Sequence, residues 1–387
     1  MTTHYRLAII GGGCAGLSLA SELIRIGFPG RIVIIEPRSN YENDRTWCFW
    51  ASENHKQSYL VSKRWSNWDI STATVCARHQ GNKLSYQQIR SIDFYTAMMK
   101  QLETASSIKL KLGVKAEAVI EKTDYVQIKT EADVYSADFA IDTRPPSFKD
   151  NSAQVWQVFS GGEVETVTPC FDSKSAGLMT QMQADENGLK FLYILPQSDR
   201  RALIQTTLFS LRKIDPTALD PIFMEDLTTV IDGPLKILRW ERGLLPMGLN
   251  LPPQIMKSRV LKAGLPGGAL RASSGYAFTR IQDWAERAAY RMSQGSFSLD
   301  TTYGSAFETA MDKVFLKALS RRPIDAGDWF VRIAGRLTGD DFARFMSRSP
   351  DAKLWLRVVA ALPKMPFLAA LVSSSSPGNR SDLELPA

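Results

Sequence analysis

The run Gly11-Gly12-Gly13-Cys14-Ala15-Gly16 carries glycines in the spacing G-x-G-x-x-G, and an acidic residue, Glu36, follows twenty positions after Gly16. That combination suits a dinucleotide. Gly11 allows a tight turn, Gly13 lets the backbone approach a pyrophosphate, and Gly16 lets the following helix pack closely on its strand. Free N–H groups at the helix N-terminus would receive the pyrophosphate, and Glu36 would accept hydrogen bonds from a ribose. Two later stretches suit further returns of the chain to the same cofactor. One is Ala140-Ile141-Asp142-Thr143-Arg144, a strand ending on Asp142. The other is a glycine-rich turn from Gly264 to Gly275, ahead of a helix whose positive end would face a flavin ring. Such returns favour FAD over NAD. No metal site is expected. The three histidines (His4, His55, His79) are scattered, and the four cysteines (Cys14, Cys48, Cys76, Cys170) form no C-x-x-C pair. So few isolated thiols fit a reducing cytoplasm.

These groups need elements to hold them. Residues 5–10 read as a buried strand, 17–26 as a helix and 31–35 as a second apolar strand ending on Glu36, which makes a βαβ unit. A helix over 91–102 and short strands over 109–112, 116–120, 125–128 and 139–141 extend it. The stretches 155–159, 178–182, 189–195 and 202–207 alternate with period two and predict a largely antiparallel sheet. A short strand over 260–263 leads into the glycine-rich turn, a helix over 276–292 follows, and the pattern is helical from 307 onward. The expected fold class is α/β (α+β). A Rossmann-like FAD-binding domain is assembled from 1–150 and 251–295, an antiparallel-sheet substrate domain spans 151–250, and a helical C-terminal cap spans 296–372. Residues 373–387, rich in serine with Pro and Gly, are expected to be a disordered tail.

Composition bounds the function. With 387 residues, 44% hydrophobic and 22% charged, the chain can bury a sizeable core. The net charge of +7 comes without a long Lys/Arg run or zinc-finger spacing, so nucleic acid is not expected as a partner. A surface drawn to anionic lipid and plain scattered charge fit equally well. No stretch reaches ~18 uninterrupted apolar residues, so no spanning helix is expected. Residues 354–372 are apolar but broken by Arg357, Lys364, Pro363 and Pro366. They suit either a membrane-resting segment or a domain-closing helix pair. Nothing in the sequence selects an oligomeric state.

Several segments resemble the bacterial lycopene β-cyclases, in the family's order and at similar spacings. Asn43-Asp44-Arg45-Thr46-Trp47-Cys48-Phe49 resembles N-H-T-W-S-F with one residue inserted. The 140–144 segment resembles V-I-D-G-R-G, and Phe191-Leu192-Tyr193-Ile194-Leu195-Pro196 resembles F-V-Y-S-L-P. Glu241-Arg242-Gly243-Leu244-Leu245-Pro246 resembles E-Q-G-A-L-P, and 264–276 resembles G-L-R-A-G-L-F-H-P-T-T-G-Y. The resemblance implies a flavoprotein that acts on an apolar polyene at a membrane surface, peripheral to the cytoplasmic face. It implies bound FAD, with Arg45 and Asp142 among the cofactor contacts. It also implies redox-neutral cyclisation, in which a proton adds to a terminal alkene, a ring closes through a carbocation, and reduced flavin stabilises the cation.

The same alignment exposes departures. Where the family carries L-I-E-D-T, this chain has Leu203-Ile204-Gln205-Thr206-Thr207, so the expected acid is Gln205 and the expected Asp is Thr206. Arg271 stands in the turn where the family has a His-Pro pair. Two readings stay open. The proton donor has moved, with Glu241 the first candidate and Glu163, Glu165 and Asp185 behind it. Alternatively the scaffold runs a flavin redox reaction on another largely apolar substrate, with Gln205 binding a polar substrate atom and Arg271 an anion.

Overall fold

Apolar, β-branched runs build the first sheet. The strands His4–Ile10 and Ile32–Ile35 are largely buried and parallel, with the helix Cys14–Arg25 crossing between them, as a βαβ unit requires. The computed structural model describes residues 3–145, 152–249, 251, 258–297, 303–347 and 351–372. Within these the sheet runs Ile108–Lys111, Ile32–Ile35, His4–Ile10, Val134–Asp142, Val126–Thr130, Ala116–Glu121, with Val260–Lys262 added parallel to Val134–Asp142. Register places Ile10 beside Asp142 and Asp142 beside Lys262. Three loops, beginning at Gly11, Thr143 and Ala263, therefore leave the sheet at one edge, outside the carboxyl ends of parallel strands.

A second seven-stranded sheet runs Leu235–Met247, Val155–Thr166, Arg201–Ser210, Gly188–Pro196, Ser175–Ala184, Asn67–Thr72, Cys76–Gln80. All pairs are antiparallel except Ser175–Ala184 with Asn67–Thr72. The last two strands come from within 1–150, which the sequence reading assigns to the FAD domain. Trp68 and Ile70 explain the difference: they point into the core under the helix Ala326–Arg336 and bury fully only there. A small third sheet of Thr46–Ala51, Ser85–Arg90 and Lys63–Trp65 bridges the halves, and Trp65 donates its indole N–H to the Pro196 carbonyl at 2.8 Å. The charged-aromatic segment around 43–50, which fits neither a plain strand nor a plain helix by pattern, is in part this strand.

The helix Asp220–Val230 covers one face of the large antiparallel sheet. Helices Ala306–Arg321, Ala326–Arg336, Gly339–Ser347, Ala352–Ala361 and Lys364–Val372 close the core on the other. Residues 373–387, expected as a tail, lie outside the described residues. Among the described residues no single helix is long and apolar enough to cross a membrane. The last two helices pass that test only as a pair bent by 111°.

Candidate flavin and substrate site

At the sheet edge, Gly11 has φ +103°, a conformation glycine alone adopts cheaply. A Cβ on Gly16 would lie 2.0 Å from the Gly11 carbonyl oxygen, so this helix can leave the strand only with glycine there. Above Gly13 the space is open, the nearest atom to a Cβ being an Arg38 nitrogen at 4.0 Å. Glu36 is buried. Its Oε2 accepts from Gly12 N–H at 2.6 Å, and its Oε1 accepts from the Arg38 backbone N–H at 3.0 Å and Nε at 2.7 Å. Oε2 thus keeps a lone pair for a ribose hydroxyl. Arg38 also donates to the Gly12 carbonyl at 3.3 Å and lies over the rings of Tyr41 and Tyr95, which stack on each other. Burial, followed by the Glu36 charge, raises the Tyr41 phenol; burial pushes Tyr95 up to about 12.

Two further expected cofactor contacts are Arg45 and Asp142. The Arg45 side chain is 57% exposed and folds back on the Asp44 carbonyl at 2.6 Å, so Arg38 is the cation beside the turn. The Asp142 carboxylate is taken up by Arg144, at 2.9 Å and 2.7 Å, and so shapes the loop. The adjacent Thr143 hydroxyl bonds the Ile10 and Gly11 carbonyls and ties this loop to the first one. Gly264 donates its N–H to the Tyr303 hydroxyl, and a Cβ there would lie 2.9 Å from that of Ala15. The second turn therefore rests on the start of the first helix. At its far end Gly275 approaches Gln157 on the antiparallel sheet, 2.5 Å from a hypothetical Cβ to Oε1. Gln157 Oε1 and Ser274 Oγ are buried and have no partner among the described residues. Buried polar atoms are ordinarily paired. An unpaired acceptor and an unpaired hydroxyl flanking this turn fit a ring that carries its own N–H and C=O groups. With the open space at Gly13 and the free lone pair on Glu36, the residues present fit FAD.

The candidate catalytic residues meet on the sheet. Tyr193 pairs with Gln205, Gln205 with Gly161, and Gly161 with Glu241, so all four stand in one row, with the side chains of Tyr193, Gln205 and Glu241 on one face. That face is toward the small third sheet, whose Thr46 and Tyr86 meet Glu241 and Tyr193. Gln205 leans over Gly161, where a Cβ would come within 2.7 Å of its Cγ. Its amide makes no hydrogen bond among the described residues. Glu241 is buried and accepts from Thr46 N–H at 3.2 Å, Thr46 Oγ1 at 2.7 Å and Arg239 Nη1 at 2.9 Å. Thr206 faces the other way and donates to Asp226 at 2.6 Å, itself paired with Lys190. One row outward, Leu203, Glu163 and Arg239 line an open groove of about 640 Å³, together with Arg90, Lys100 and Arg201.

Arg271 is not an open anion site. Its guanidinium is buried against Asp312 at 3.3 Å and Glu308 at 4.0 Å and donates to the Phe345 carbonyl, while Arg280 pairs with Glu308 at 3.0 Å. It ties the glycine-rich turn to the cap, because two carboxylates of the helix Ala306–Arg321 already neutralise it. Glu163 lies 3.2 Å from Arg201, Glu165 3.8 Å from Arg201, and Asp185 accepts N–H groups of Asn187 and Gly188 in a hairpin turn.

A further group escapes sequence reasoning: Tyr86 contacts the hydroxyls of both Tyr193 and Tyr276, the latter at 2.9 Å. Trp50 packs on Tyr86 and Tyr276, and Cys48 lies beside the phenols. Burial raises all three phenols above their ordinary range and pushes the Cys48 thiol up to about 12. Two signals were legible. Gly161-Gly162 inside a strand marks a close approach, and Arg38 follows Glu36 by two residues.

A family profile described as lycopene cyclase protein matches residues 6–371. A lycopene beta-cyclase from Pantoea ananas is 25% identical over 389 residues, covering 96% of this chain and 98% of that one. A geranylgeranyl bacteriochlorophyll reductase-like protein from Thermoplasma acidophilum superposes with a TM-score of 0.63 at 11% identity, covering 96% of this chain and 100% of that one. The p-nitrophenol 4-monooxygenase of Pseudomonas putida superposes with a TM-score of 0.60 at 12% identity, covering 97% and 98%. At these identities the two structures share the fold.

Proposed function

The chain belongs to the lycopene cyclase family, and from that premise we propose an FAD-dependent oxidoreductase acting on a largely apolar isoprenoid that carries a polar group. One observation carries this reading: in the row of Tyr193, Gln205, Gly161 and Glu241, a neutral amide stands where the family resemblance places an acid. Protonating an alkene to a carbocation takes a strong, neutral acid held in apolar surroundings. Glu241 is the opposite. Its two oxygens accept from three donors, one a guanidinium, which suits a carboxylate and leaves no proton to hand over. Glu163 and Glu165 face arginine and Asp185 holds a turn.

Bound between the glycine turns, FAD would supply hydride transfer to or from carbon. The chain supplies the rest. Gly13 and the helix N-terminus receive the pyrophosphate, Glu36 the ribose, and Gln157 and Ser274 the polar ring edge. Gln205 hydrogen-bonds the polar atom of the substrate and fixes the neighbouring carbons, while Gly161 leaves the room for it. The fold neighbour named as geranylgeranyl bacteriochlorophyll reductase-like is in keeping with isoprenoid redox chemistry on this scaffold. Cyclisation with Glu241 as a displaced acid is the second reading, favoured by its place in the same row. Peripheral membrane contact from the cytoplasm belongs with either reading. The bent helix pair carries Leu356, Met365, Leu368 and Val372 on its exposed surface.

The test uses holoprotein reduced anaerobically with dithionite. Offered lycopene in liposomes, it is expected to give no cyclised product by chromatography; offered farnesal, an isoprenoid enal, it is expected to reoxidise its flavin. Cyclised lycopene from wild type that disappears in Glu241→Gln overturns the proposal in favour of the second reading.

A further inference from the structure

The hydroxyls of Tyr193, Tyr86 and Tyr276 form a continuous chain. Tyr193 stands beside Gln205 on the sheet, and Tyr276 lines a cavity of about 290 Å³ at the cap junction, with Arg271, Thr279, Arg280 and Asp283. Three hydroxyls hold three hydrogens, and two contacts use two of them, so one hydrogen remains to be donated from an end of the chain, where at the Tyr193 end the neighbouring Cys48 sulfur is its resting acceptor. In each contact either oxygen can be the donor. The chain can therefore point either way, presenting its spare hydrogen at Tyr193 or at Tyr276.

We propose that Tyr193, Tyr86 and Tyr276 are a proton relay from this cavity to the substrate carbon beside Gln205, with Tyr193 the donor that touches substrate. The inference rests on the oxidoreductase reading. The step balances for a conjugated enal. Bound, reduced FAD would supply a hydride to form a C–H bond at the β carbon, and the alkene electrons would shift toward the carbonyl oxygen held by Gln205. The α carbon then takes the Tyr193 proton. Tyr193 recovers a proton from Tyr86, Tyr86 from Tyr276, and Tyr276 from solvent in the cavity. A phenol suffices here because an enolate carbon is far more basic than a phenolate. It would not suffice for an unactivated alkene, which is why the relay fits reduction and not cyclisation.

Two measurements test the relay. In the first, reduced holoprotein is mixed anaerobically with farnesal in deuterated buffer. Wild type is expected to place one deuterium at the α carbon with a solvent isotope effect on flavin reoxidation. Tyr193→Phe should slow reoxidation by about 10²-fold or more with KM for farnesal held. Tyr276→Phe should slow it less, and add nothing in a Tyr86→Phe background. In the second, flavin-free protein labelled with 3-fluorotyrosine is followed by fluorine NMR. Tyr276→Phe should move the Tyr193 resonance, and should fail to do so once Tyr86 is Phe. An unchanged rate and isotope effect in Tyr193→Phe, or a Tyr193 resonance indifferent to Tyr276→Phe, overturns the relay and leaves the redox reading standing. Reduced wild type that ferricyanide oxidises but farnesal does not overturns both.

Discussion

Replacing Glu241 with Gln asks whether this carboxyl is charged in the folded protein. The side chain keeps its size and an acceptor for Thr46, but Arg239 loses its partner at 2.9 Å. Removing one member of a fully buried pair costs about 3–5 kcal/mol, whereas an exposed pair is worth about 0–1 kcal/mol. This pair lies between: Glu241 is 4% exposed and Arg239 22%. Arg239 also keeps the Asn43 carbonyl at 3.1 Å, Thr46 Oγ1 at 3.3 Å and Glu163 at 3.9 Å. A cost of about 2 kcal/mol follows, or roughly 4 °C in Tm for a domain of ~200 residues. The assay is thermal unfolding of the holoprotein at neutral pH, closed into a cycle with Arg239→Met, where a coupling of about 1–2 kcal/mol is expected. A Glu241→Gln protein that melts at or above wild type, with no coupling to Arg239, would mean that Glu241 sits there neutral. The case against it as an acid would then collapse.

Gly13→Ala should leave the Tm of flavin-free protein unchanged yet abolish flavin absorbance in purified material, since its Cβ enters only the space kept for pyrophosphate; retained flavin would refute that placement. Gly16→Ala should lose both fold stability and flavin, because its Cβ meets backbone at 2.0 Å. Arg271→Met strands Asp312 in the cap, while Glu308 keeps Arg280, and should cost about 3 kcal/mol, seen as faster hydrogen exchange in the helix Ala306–Arg321. Alkaline pH should unfold the protein through Tyr86, Tyr193 and Tyr276, whose folded pKa values burial holds above the ordinary value of about 10. Their stabilisation is intact below pH ~10 and is lost as pH rises above it, by up to about 1.4 kcal/mol per unit for each phenol. Tyr276→Phe should flatten denaturant midpoints measured across that range by one group's share.

The flavin end was legible because its signals are local. The strand, the glycine turn, the helix and Glu36 follow one another in the chain, and each spacing has one mechanical reading. What escaped is held together by distant residues. Trp68 and Ile70 lie on a local hairpin, but it joins the second sheet only when Ser175–Ala184 is present to pair with its open edge. Arg271 looks like a free cation until Glu308 and Asp312, four apart on one helix face, close over it. Tyr193 was visible inside its motif, but its partners Tyr86 and Tyr276 lie 107 and 83 residues away and join it only through the fold. Gln205 was conspicuous by its chemistry, while the shape that gives it meaning, a bare Gly161 beside it and Glu241 beyond, depends on strand register.

The exchange of Asn67–Gln80 into the second sheet sets a timetable for synthesis. This hairpin leaves the ribosome well before the strand Ser175–Ala184 that covers its edge. At roughly 5–20 residues per second the wait is on the order of ten seconds. Throughout it Trp68 and Ile70 have no core to enter, and an unpaired strand edge faces solvent or a neighbouring nascent chain. Neither half of the molecule can be finished while the other is unmade. Truncations near residue 150 should therefore yield aggregating fragments, and full-length yield should depend on slow, cool expression or on chaperones that shield that edge.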